Sequence, residues 1–287
     1  MAGSMVYRLP VGDIRAPYMQ AFAAAMAAAE RRLDRASYNN IAGFHGAPGW
    51  YCWHHQRNPR TPEQARLFLP WHRAYLWWLE QVLQDRARDL PPQIGATDIA
   101  LPWWDWTAVA QIPAAYRAGA IGRARNPLAS TRAFVPTARP PIDRWTTRSP
   151  GASPFARLPT RAQIADLLED SDFASFSDRL EDFHDSVHGW VGGDMGSVST
   201  AAYDPVFFAH HCMIDRLWYL WQVRWGINRI PPSLLDLPLS PFGLTVRDTL
   251  SVQRLGYEYA TRSLVLPPAR GVPGRAPRRA IRRGSRR

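Results

Sequence analysis

Apolar residues recur at helical spacing in several stretches of the chain, and these stretches predict its main helices. Pro17–Ala36 is rich in Ala and Met and contains no interior breaker. The motif Thr61-Pro62-Glu63 is a good helix start, and the aromatic stretch after it predicts a second long helix, in which Pro70 is expected to kink the first turns. Gln163–Phe183 mixes acidic and apolar residues at helical spacing and runs directly into His184.

The segments between these helices differ in composition and predict loops and short strands. Leu101–Thr107 is a compact aromatic strand or turn, and Ala108–Thr160 is a Pro-, Arg- and Gly-rich stretch that predicts a long surface loop at the mouth of a site. Leu244–Tyr259 contains short β-like runs. The predicted fold is therefore mainly α, with a four-helix-bundle core, long loops and a few short β-strands.

Length and composition narrow the class of protein. The chain has 287 residues, 46% of them hydrophobic, which suits one sizeable core in a single domain over residues 1–266. No apolar run is long enough to span a bilayer. The N-terminus lacks the basic-then-apolar order of a secretory signal, so we expect a cytoplasmic protein, or one exported without its own signal peptide.

The charge is concentrated at the C-terminus. The formal net charge is +11, and residues 270–287 carry eight Arg and no acidic residue. An Arg-, Pro- and Gly-rich segment cannot bury enough apolar surface to fold, so residues 267–287 are predicted to be a disordered tail. Nucleic-acid binding through this tail is the less favoured interpretation.

The histidines form two sets of three. His184 and His188 are four residues apart on a predicted helix, so their imidazoles share one face, and the next helix carries His210 and His211. Any one of these alone would more often be an ordinary core histidine. A second set of three consists of His45, His72 and one of the adjacent pair His54 and His55.

Two sets of three imidazoles predict two metal ions. Neutral imidazoles suit copper or zinc, whereas hard cations and iron–sulfur clusters need other ligands. A di-iron carboxylate bundle is the alternative, because Glu181 and His184 form a Glu-x-x-His motif. Such bundles need that motif twice, and the His45 to His72 half shows no second copy. Two coppers, with O2 as co-substrate, fit best.

Five motifs resemble the type-3 copper proteins, in particular the tyrosinase, catechol oxidase and polyphenol oxidase group of bacterial type. They are FLPWHRAYL, LPWWDW, HDSVHGWVGGDMG, DPVFFAHHCMIDRLW and GYEY, in this order along the chain. The resemblance implies that the first copper is held by His45, His54 (or His55) and His72, and the second by His184, His188 and His211. Cys52 stands two residues before His54, as in members with a Cys–His thioether.

The same resemblance implies roles for residues beside the metals. Glu181 matches a glutamate that holds a water beside the second copper, and Asp185 stands where readily hydroxylating members have Asn, as a candidate proton acceptor. Val198 matches the residue that sits over the second copper at the entrance. His210 is then a neighbour rather than a ligand, and Asp215 is expected to orient the histidine pair.

The implied function is oxidation of o-diphenols or o-aminophenols to o-quinones with O2, with ortho-hydroxylation of monophenols as a further activity. The substrate is then a small phenol, and a copper-delivery helper protein is a partner seen with some small bacterial members. The alternative is a haemocyanin-like reversible O2 carrier, which shares the copper pair. Turnover of a catechol separates the two.

Overall fold

Six α-helices dominate the computed structural model, which describes residues 5–52, 66–90, 99–117, 119–121 and 124–260. Within these ranges the helices are α1 (Ala16–Glu30), α2 (Tyr38–His45), α3 (Phe68–Arg88), α4 (Arg161–Leu168), α5 (Phe173–Val191) and α6 (Val206–Trp225). Helix α3 packs against α1, α5 and α6 and is the central helix of the core. None of the described helices is both long and apolar enough to cross a membrane. The predicted mainly α fold is confirmed.

The strands of the described residues are short and form four separate pairs. The first pair is parallel and the other three are antiparallel: β1 (Val6–Arg8) with β8 (Tyr257–Tyr259), β2 (Ala120–Ile121) with β3 (Ala124–Arg125), β4 (Arg132–Val135) with β5 (Ile142–Trp145), and β6 (Pro238–Leu239) with β7 (Leu244–Thr245). The β1–β8 pair brings the first and last elements of the described chain together. The predicted 267–287 tail lies outside the described residues.

Helix α1 is shorter than the sequence predicts. It ends at Glu30 rather than continuing to Ala36. Asp34 accepts hydrogen bonds from the Arg32 guanidinium (2.8 Å) and the Ala36 backbone N–H (3.0 Å), a local alternative to the helix. Leu33 is fully exposed, so no packing opposes this turn.

Helix α3 begins at Phe68, so Pro70 lies in its first turn. A proline is tolerated there because the first backbone N–H groups have no partner inside the helix. The expected kink from Pro70 therefore has no basis, and α3 runs on to Arg88.

The segment from Gln163 to His184 is two helices, not the single predicted one. Residues 169–172 separate α4 from α5. The Asp172 side chain accepts a hydrogen bond from the Ser175 backbone N–H at 2.8 Å and so caps the start of α5. This capping acid looked like one more polar position of a continuous helical pattern.

The predicted surface loop over Ala108–Thr160 contains the β2–β3 and β4–β5 hairpins. In β4 the burial alternates, with Ala133 and Val135 buried and their neighbours exposed. Leu128 is also buried. The segment is thus partly core, and its two-residue alternation was too short to recognise among the Pro and Arg residues. The aromatic motif Leu101–Thr107 packs as expected, with all three of its tryptophans buried.

A buried ion-pair network ties β1, α3, α6 and β8 together. Arg8 on β1 donates two hydrogen bonds to Glu80 on α3, at 2.9 and 3.2 Å, and one to Asp215 on α6 at 3.1 Å. The hydroxyls of Tyr257 and Tyr259 donate to the same Asp215 oxygen, at 2.7 and 2.6 Å. All five of these residues are buried in the core. The network therefore fixes both ends of the described chain to the helices.

The Asp215 carboxylate also accepts a hydrogen bond from the Arg73 guanidinium. Burial disfavours the charged form of Asp215, but the charges of Arg73 and Arg8 and the Tyr259 hydrogen bond together hold its pKa below its ordinary value. The expected contact between Asp215 and the histidine pair is wrong. Both carboxylate oxygens are directed to the two arginines and the two tyrosines instead.

Asp215→Ala is expected to lower the free energy of unfolding by about 3–5 kcal/mol, because it leaves two guanidinium groups buried with an incomplete set of counter-charges. Urea unfolding followed by fluorescence measures the change. Asp143→Ala is the control, since Asp143 pairs with Arg132 on the exposed surface, where a pair contributes about 0–1 kcal/mol. Equal losses in the two variants would contradict the structural role of the network.

Candidate metal centre

Five of the six predicted ligands lie in the described residues, and all five meet in the core. His45 is the last residue of α2, and His72 lies in the second turn of α3. His184 and His188 are one turn apart on α5, and His211 is on α6. His54, with His55 as the other choice, lies outside the described residues, so this ligand stays a prediction.

Three of these imidazoles converge on one point. The Nε2 atom of His211 is 3.2 Å from Nε2 of His184 and 3.2 Å from Nε2 of His188. Imidazole nitrogens bound to one metal ion at about 2.0–2.1 Å in tetrahedral directions lie roughly 3.3 Å apart. The spacing of His211 Nε2 from the other two nitrogens therefore suits ligands of a single ion.

The other ring nitrogens explain why Nε2 faces inward. The Nδ1–H of His72 donates to the Phe68 carbonyl at 2.8 Å, and the Nδ1–H of His188 donates to the Met195 carbonyl at 2.7 Å. Since a carbonyl can only accept, each neutral ring carries its proton on Nδ1 and offers its Nε2 lone pair to a metal. His184 Nδ1 is held in the same way by Asp185 Oδ1 at 2.9 Å.

Two glycines return the chain so that Met195 can reach His188. Gly192 and Gly193 have φ angles of +63° and +57°, which favour glycine, and they end α5 directly after the ligand-bearing turns. A Cβ on Gly193 would lie 2.1 Å from the Thr147 carbonyl oxygen. The pair Gly192-Gly193 is thus required both for backbone conformation and for close packing.

The two histidine groups are joined through α3 and α6. The rings of His72 and His211 are stacked with centroids 4.4 Å apart, and the rings of His45 and His72 are 5.5 Å apart. Phe207 stacks on the other side of His211 at 3.8 Å. The centre is therefore one cluster with two neighbouring metal positions and an aromatic wall.

A cavity of about 330 Å³ opens onto this cluster. It is lined by His45, His184, Asp185, His188, Gly189, Met195, Gly196, Val198 and Ala201. Two of the predicted non-ligand residues, Asp185 and Val198, are thus at the cavity. Glu181 lies on α5 one turn before His184 and is partly buried, but it is not among the lining residues, and its role stays a prediction.

Val198 is held over the end of α2 by backbone contacts. The Ala47 N–H donates to the Ser199 carbonyl at 3.1 Å, and a Cβ on Gly46 would lie 2.4 Å from the Val198 carbonyl oxygen. Only glycine allows so close an approach directly after the ligand His45. The Val198 side chain itself is 38% exposed and leaves the cavity accessible.

Comparison with protein families agrees with this geometry. The model of the common central domain of tyrosinase matches residues 35–224, a range that contains all five described ligand candidates. The chain belongs to the tyrosinase family. The match covers helices α2 to α6 and so includes every element that carries a histidine of the cluster.

Individual relatives of this tyrosinase-family chain include proteins named as tyrosinases and as haemocyanins. Tyrosinase of Streptomyces glaucescens is 33% identical over 208 residues, which cover 62% of this chain and 72% of that protein. Unit D of the Helix pomatia haemocyanin beta-C chain is 29% identical over 219 residues, 72% of this chain and 51% of that protein. This chain spans about half of that haemocyanin and much less of the multi-unit haemocyanins. The solved tyrosinase structure from Burkholderia thailandensis gives a TM-score of 0.72 at 22% identity, covering 91% of this chain and 75% of that one.

Cys52 lies beside the first histidine group of this tyrosinase-family site. It is buried, and its Sγ is 3.8 Å from Nε2 of His72. One ligand atom from each of His45, Cys52 and His72 lies within 4.8 Å of the others. The predicted thioether to His54 involves a residue outside the described ranges and stays a prediction.

His210 is close to the cluster, but its hydrogen bonding distinguishes it from the ligands. The Trp106 indole N–H donates to His210 Nδ1 at 3.2 Å. In a neutral ring the proton is then on Nε2, which leaves no lone pair for a metal. The assignment of His211, rather than His210, as the ligand is consistent with this contact. The sequence reasoning missed Trp106, although its place in the aromatic motif LPWWDW was a signal.

Burial favours the neutral form of the His188 and His211 imidazoles. Desolvation lowers the pKa of His188 to about 4, although the hydrogen bond to the Met195 carbonyl raises it. The pKa of His211 is well below its ordinary value, because of burial and of the neighbouring histidines. Neutral rings at physiological pH are the form that binds a metal ion.

The metal-free protein is expected to lose stability as the pH falls from about 6.5 to about 4. In that window the unfolded chain binds a proton at His188, whereas the folded protein does not, so acid favours unfolding. This stability is fully present above pH 6.5. Urea unfolding between pH 4 and 7 measures the slope, and His188→Gln should reduce it by up to about 1.4 kcal/mol per pH unit. An unchanged slope would show that His188 is protonated in the folded protein.

Proposed function

We propose that this protein is a dinuclear copper oxidase, which converts o-diphenols or o-aminophenols to o-quinones with O2. The observation that carries the proposal is the stacking of His72 on His211 at 4.4 Å, because it joins the two histidine groups into one centre. Membership of the tyrosinase family supports the same chemistry. Ortho-hydroxylation of monophenols is the finer part of the proposal.

The donor set fits two coppers. His184, His188 and His211 would hold one ion, and His45 and His72 would hold the other together with His54 (or His55). The group of His184, His188, His210 and His211 consists of imidazole donors alone, which suits copper. When bound, the copper pair supplies the reaction with O2 and accepts two electrons from the phenol.

The surrounding residues supply the remaining requirements of the reaction. Phe68 packs edge-on against the rings of His72 and His184, with centroids 5.0 and 4.9 Å away, and so excludes water from the inner side of the centre. The cavity of about 330 Å³ is roughly twice the ~150 Å³ that holds a benzene ring, so one phenol ring fits with room for a substituent. Asp185 is the proposed acceptor for the phenol proton, and Glu181 is proposed to hold a water beside the second copper; this part rests on the family resemblance.

Reversible O2 carriage is the second candidate, and the haemocyanin relatives are the observation that favours it. A carrier has to keep phenols away from its copper pair. In this structure the entrance residues are open to solvent, with Val198 38% exposed and the Asp185 side chain 65% exposed. An accessible cavity supports the oxidase.

Copper delivery by a helper protein, and residence in the cytoplasm or export without a signal peptide of its own, belong to the proposal on sequence grounds alone. Loading of the purified metal-free protein with copper salt tests whether a helper is required. Recovery of activity with copper alone would remove the helper from the proposal.

Copper analysis of the loaded protein is expected to give two ions per chain, and His188→Ala is expected to give about one. The reason is that His188 supplies one of three converging nitrogens, without which the second position has only two ligands. His210→Gln is the control, because His210 is a buried histidine of the same cluster whose Nδ1 is already hydrogen-bonded to Trp106. Loss of copper in both variants, with unchanged circular dichroism, would contradict the assigned ligand set.

Turnover decides between the two candidate functions. The copper-loaded protein is expected to convert 4-methylcatechol and o-aminophenol to coloured products faster than it hydroxylates tyrosine. Asp185→Asn is expected to raise the ratio of tyrosine rate to 4-methylcatechol rate several-fold, because Asn occupies this position in family members that hydroxylate readily. The amide oxygen of Asn can still accept the hydrogen bond from His184, so the ligand remains oriented. Spectroscopic O2 binding without any quinone would favour the carrier.

A further inference from the structure

The segment Ser149–Leu158, here called the rim segment, lies along the outer side of α5. Its first half is attached to the end of that helix. The Ser149 N–H donates to the Val191 carbonyl at 3.0 Å, and the Gly151 N–H donates to the Trp190 carbonyl at 2.8 Å. This part of the rim segment therefore has a fixed position relative to the ligand-bearing helix.

The second half of the rim segment is attached at Ser186, between the ligands His184 and His188. The Arg157 N–H donates to Ser186 Oγ at 3.0 Å, and the Ser186 hydroxyl donates to the Arg157 carbonyl at 2.6 Å. This reciprocal pair fixes the backbone of Arg157 to Ser186. Ser186 directly follows Asp185, which lines the cavity.

Between these two attachments the rim segment packs against the cavity wall at Gly189. Gly189 lines the cavity, and a Cβ built on it would lie 3.1 Å from the Cβ of Ala156. Ala156 is correspondingly buried. The absence of a side chain at Gly189 thus lets the rim segment pack closely against a residue of the cavity lining, and this brings the residues on either side of Ala156 near the entrance.

The side chains of the two flanking residues, Phe155 and Arg157, are both exposed. Phe155 is 94% exposed, so its apolar ring is in contact with water, which is unfavourable. Arg157 is exposed, and its guanidinium donates to the Ala156 carbonyl at 2.8 Å, which holds the charge beside the residue that packs on Gly189. Within the described ranges the guanidinium has no carboxylate at ion-pair distance, so its charge is available to a ligand.

We propose that the rim segment selects the substrate, with Arg157 recognising a carboxylate on the side chain of the phenol and Phe155 contacting the apolar part of that side chain. This inference rests on the proposed oxidase function. The phenol ring would enter the cavity, and a substituent opposite the hydroxyl groups would point outward past Gly189 to Arg157. Asp185 is the opposing charge at the entrance, and its Oδ1 is directed at His184.

Binding of a pair of non-oxidisable probes tests the proposal without any turnover. Calorimetry on the copper-loaded protein compares 3-phenylpropionate with the neutral 3-phenylpropanamide. The wild-type protein is expected to bind the carboxylate about five-fold more tightly, as one solvent-screened charge pair allows. Arg157→Gln should remove the difference. Arg161→Gln, which removes an exposed Arg charge four residues further on, should retain it.

Turnover gives a second, independent measurement. For 3-(3,4-dihydroxyphenyl)propionate, Arg157→Gln is expected to raise KM about five-fold with kcat nearly unchanged, while 4-methylcatechol is affected less than two-fold. Arg157→Glu should raise this KM further, and added salt should reduce all of these differences. Phe155→Ala should raise KM for 4-tert-butylcatechol more than for catechol.

The possible failures can be told apart. A carboxylate preference that survives Arg157→Gln would overturn the inference, since the carboxylate would then be bound by the metal. Equal KM changes for charged and neutral catechols would also overturn it, because they would show a structural effect on the cavity wall. Absence of 4-methylcatechol oxidation by the wild-type protein would count against the proposed function, while the calorimetric comparison would still decide the role of Arg157.

Discussion

The register between helices α3 and α6 decides where the two histidine groups meet. His72 and Arg73 are adjacent on α3, and on α6 His211 and Asp215 are one turn apart. Because the His72 and His211 rings stack while the Arg73 guanidinium bonds to Asp215, the ion pair and the metal cluster share one helix contact. A shift of either helix would break both. The ion pair is insulated from solvent, so its geometry is well defined and can position the cluster.

Burying imidazoles in an aromatic core is unfavourable unless their ring nitrogens have defined partners. For four of the rings the structure provides such partners, from the backbone at Phe68 and Met195 and from side chains at Asp185 and Trp106. Each contact sets a tautomer as well as an orientation. The same burial that lowers the pKa of His188 therefore also prepares its Nε2 atom for a metal.

Sequence patterns predicted a histidine cluster, and the structure brings its five described members together, but the residues that support them were not predicted. His184 and His188 follow from helical spacing, because positions four apart share a face whatever else the chain does. Asp215 shows the limit, since its place one turn after His211 suggested a contact with the histidines. Its partners Arg8 and Tyr259 come from the two ends of the described chain, and no local pattern reveals such distant contacts. The hairpins within 108–160 were missed for a related reason, because their strands are only two to four residues long.

The histidine cluster is built from helices, whereas the entrance is built largely from connecting segments. The residues that would carry out the reaction are therefore separate from those that would select the substrate. Every described ligand is on a helix, so ligand positions cannot change without moving the core. Val198 lines the entrance and the rim segment packs beside it at Gly189, and both belong to connecting segments held by a few hydrogen bonds. Such segments accept substitutions at modest cost in stability. Because Gly189 brings Ala156 against the cavity, a change at Phe155 or Arg157 can alter which phenol is admitted while leaving the imidazoles in place.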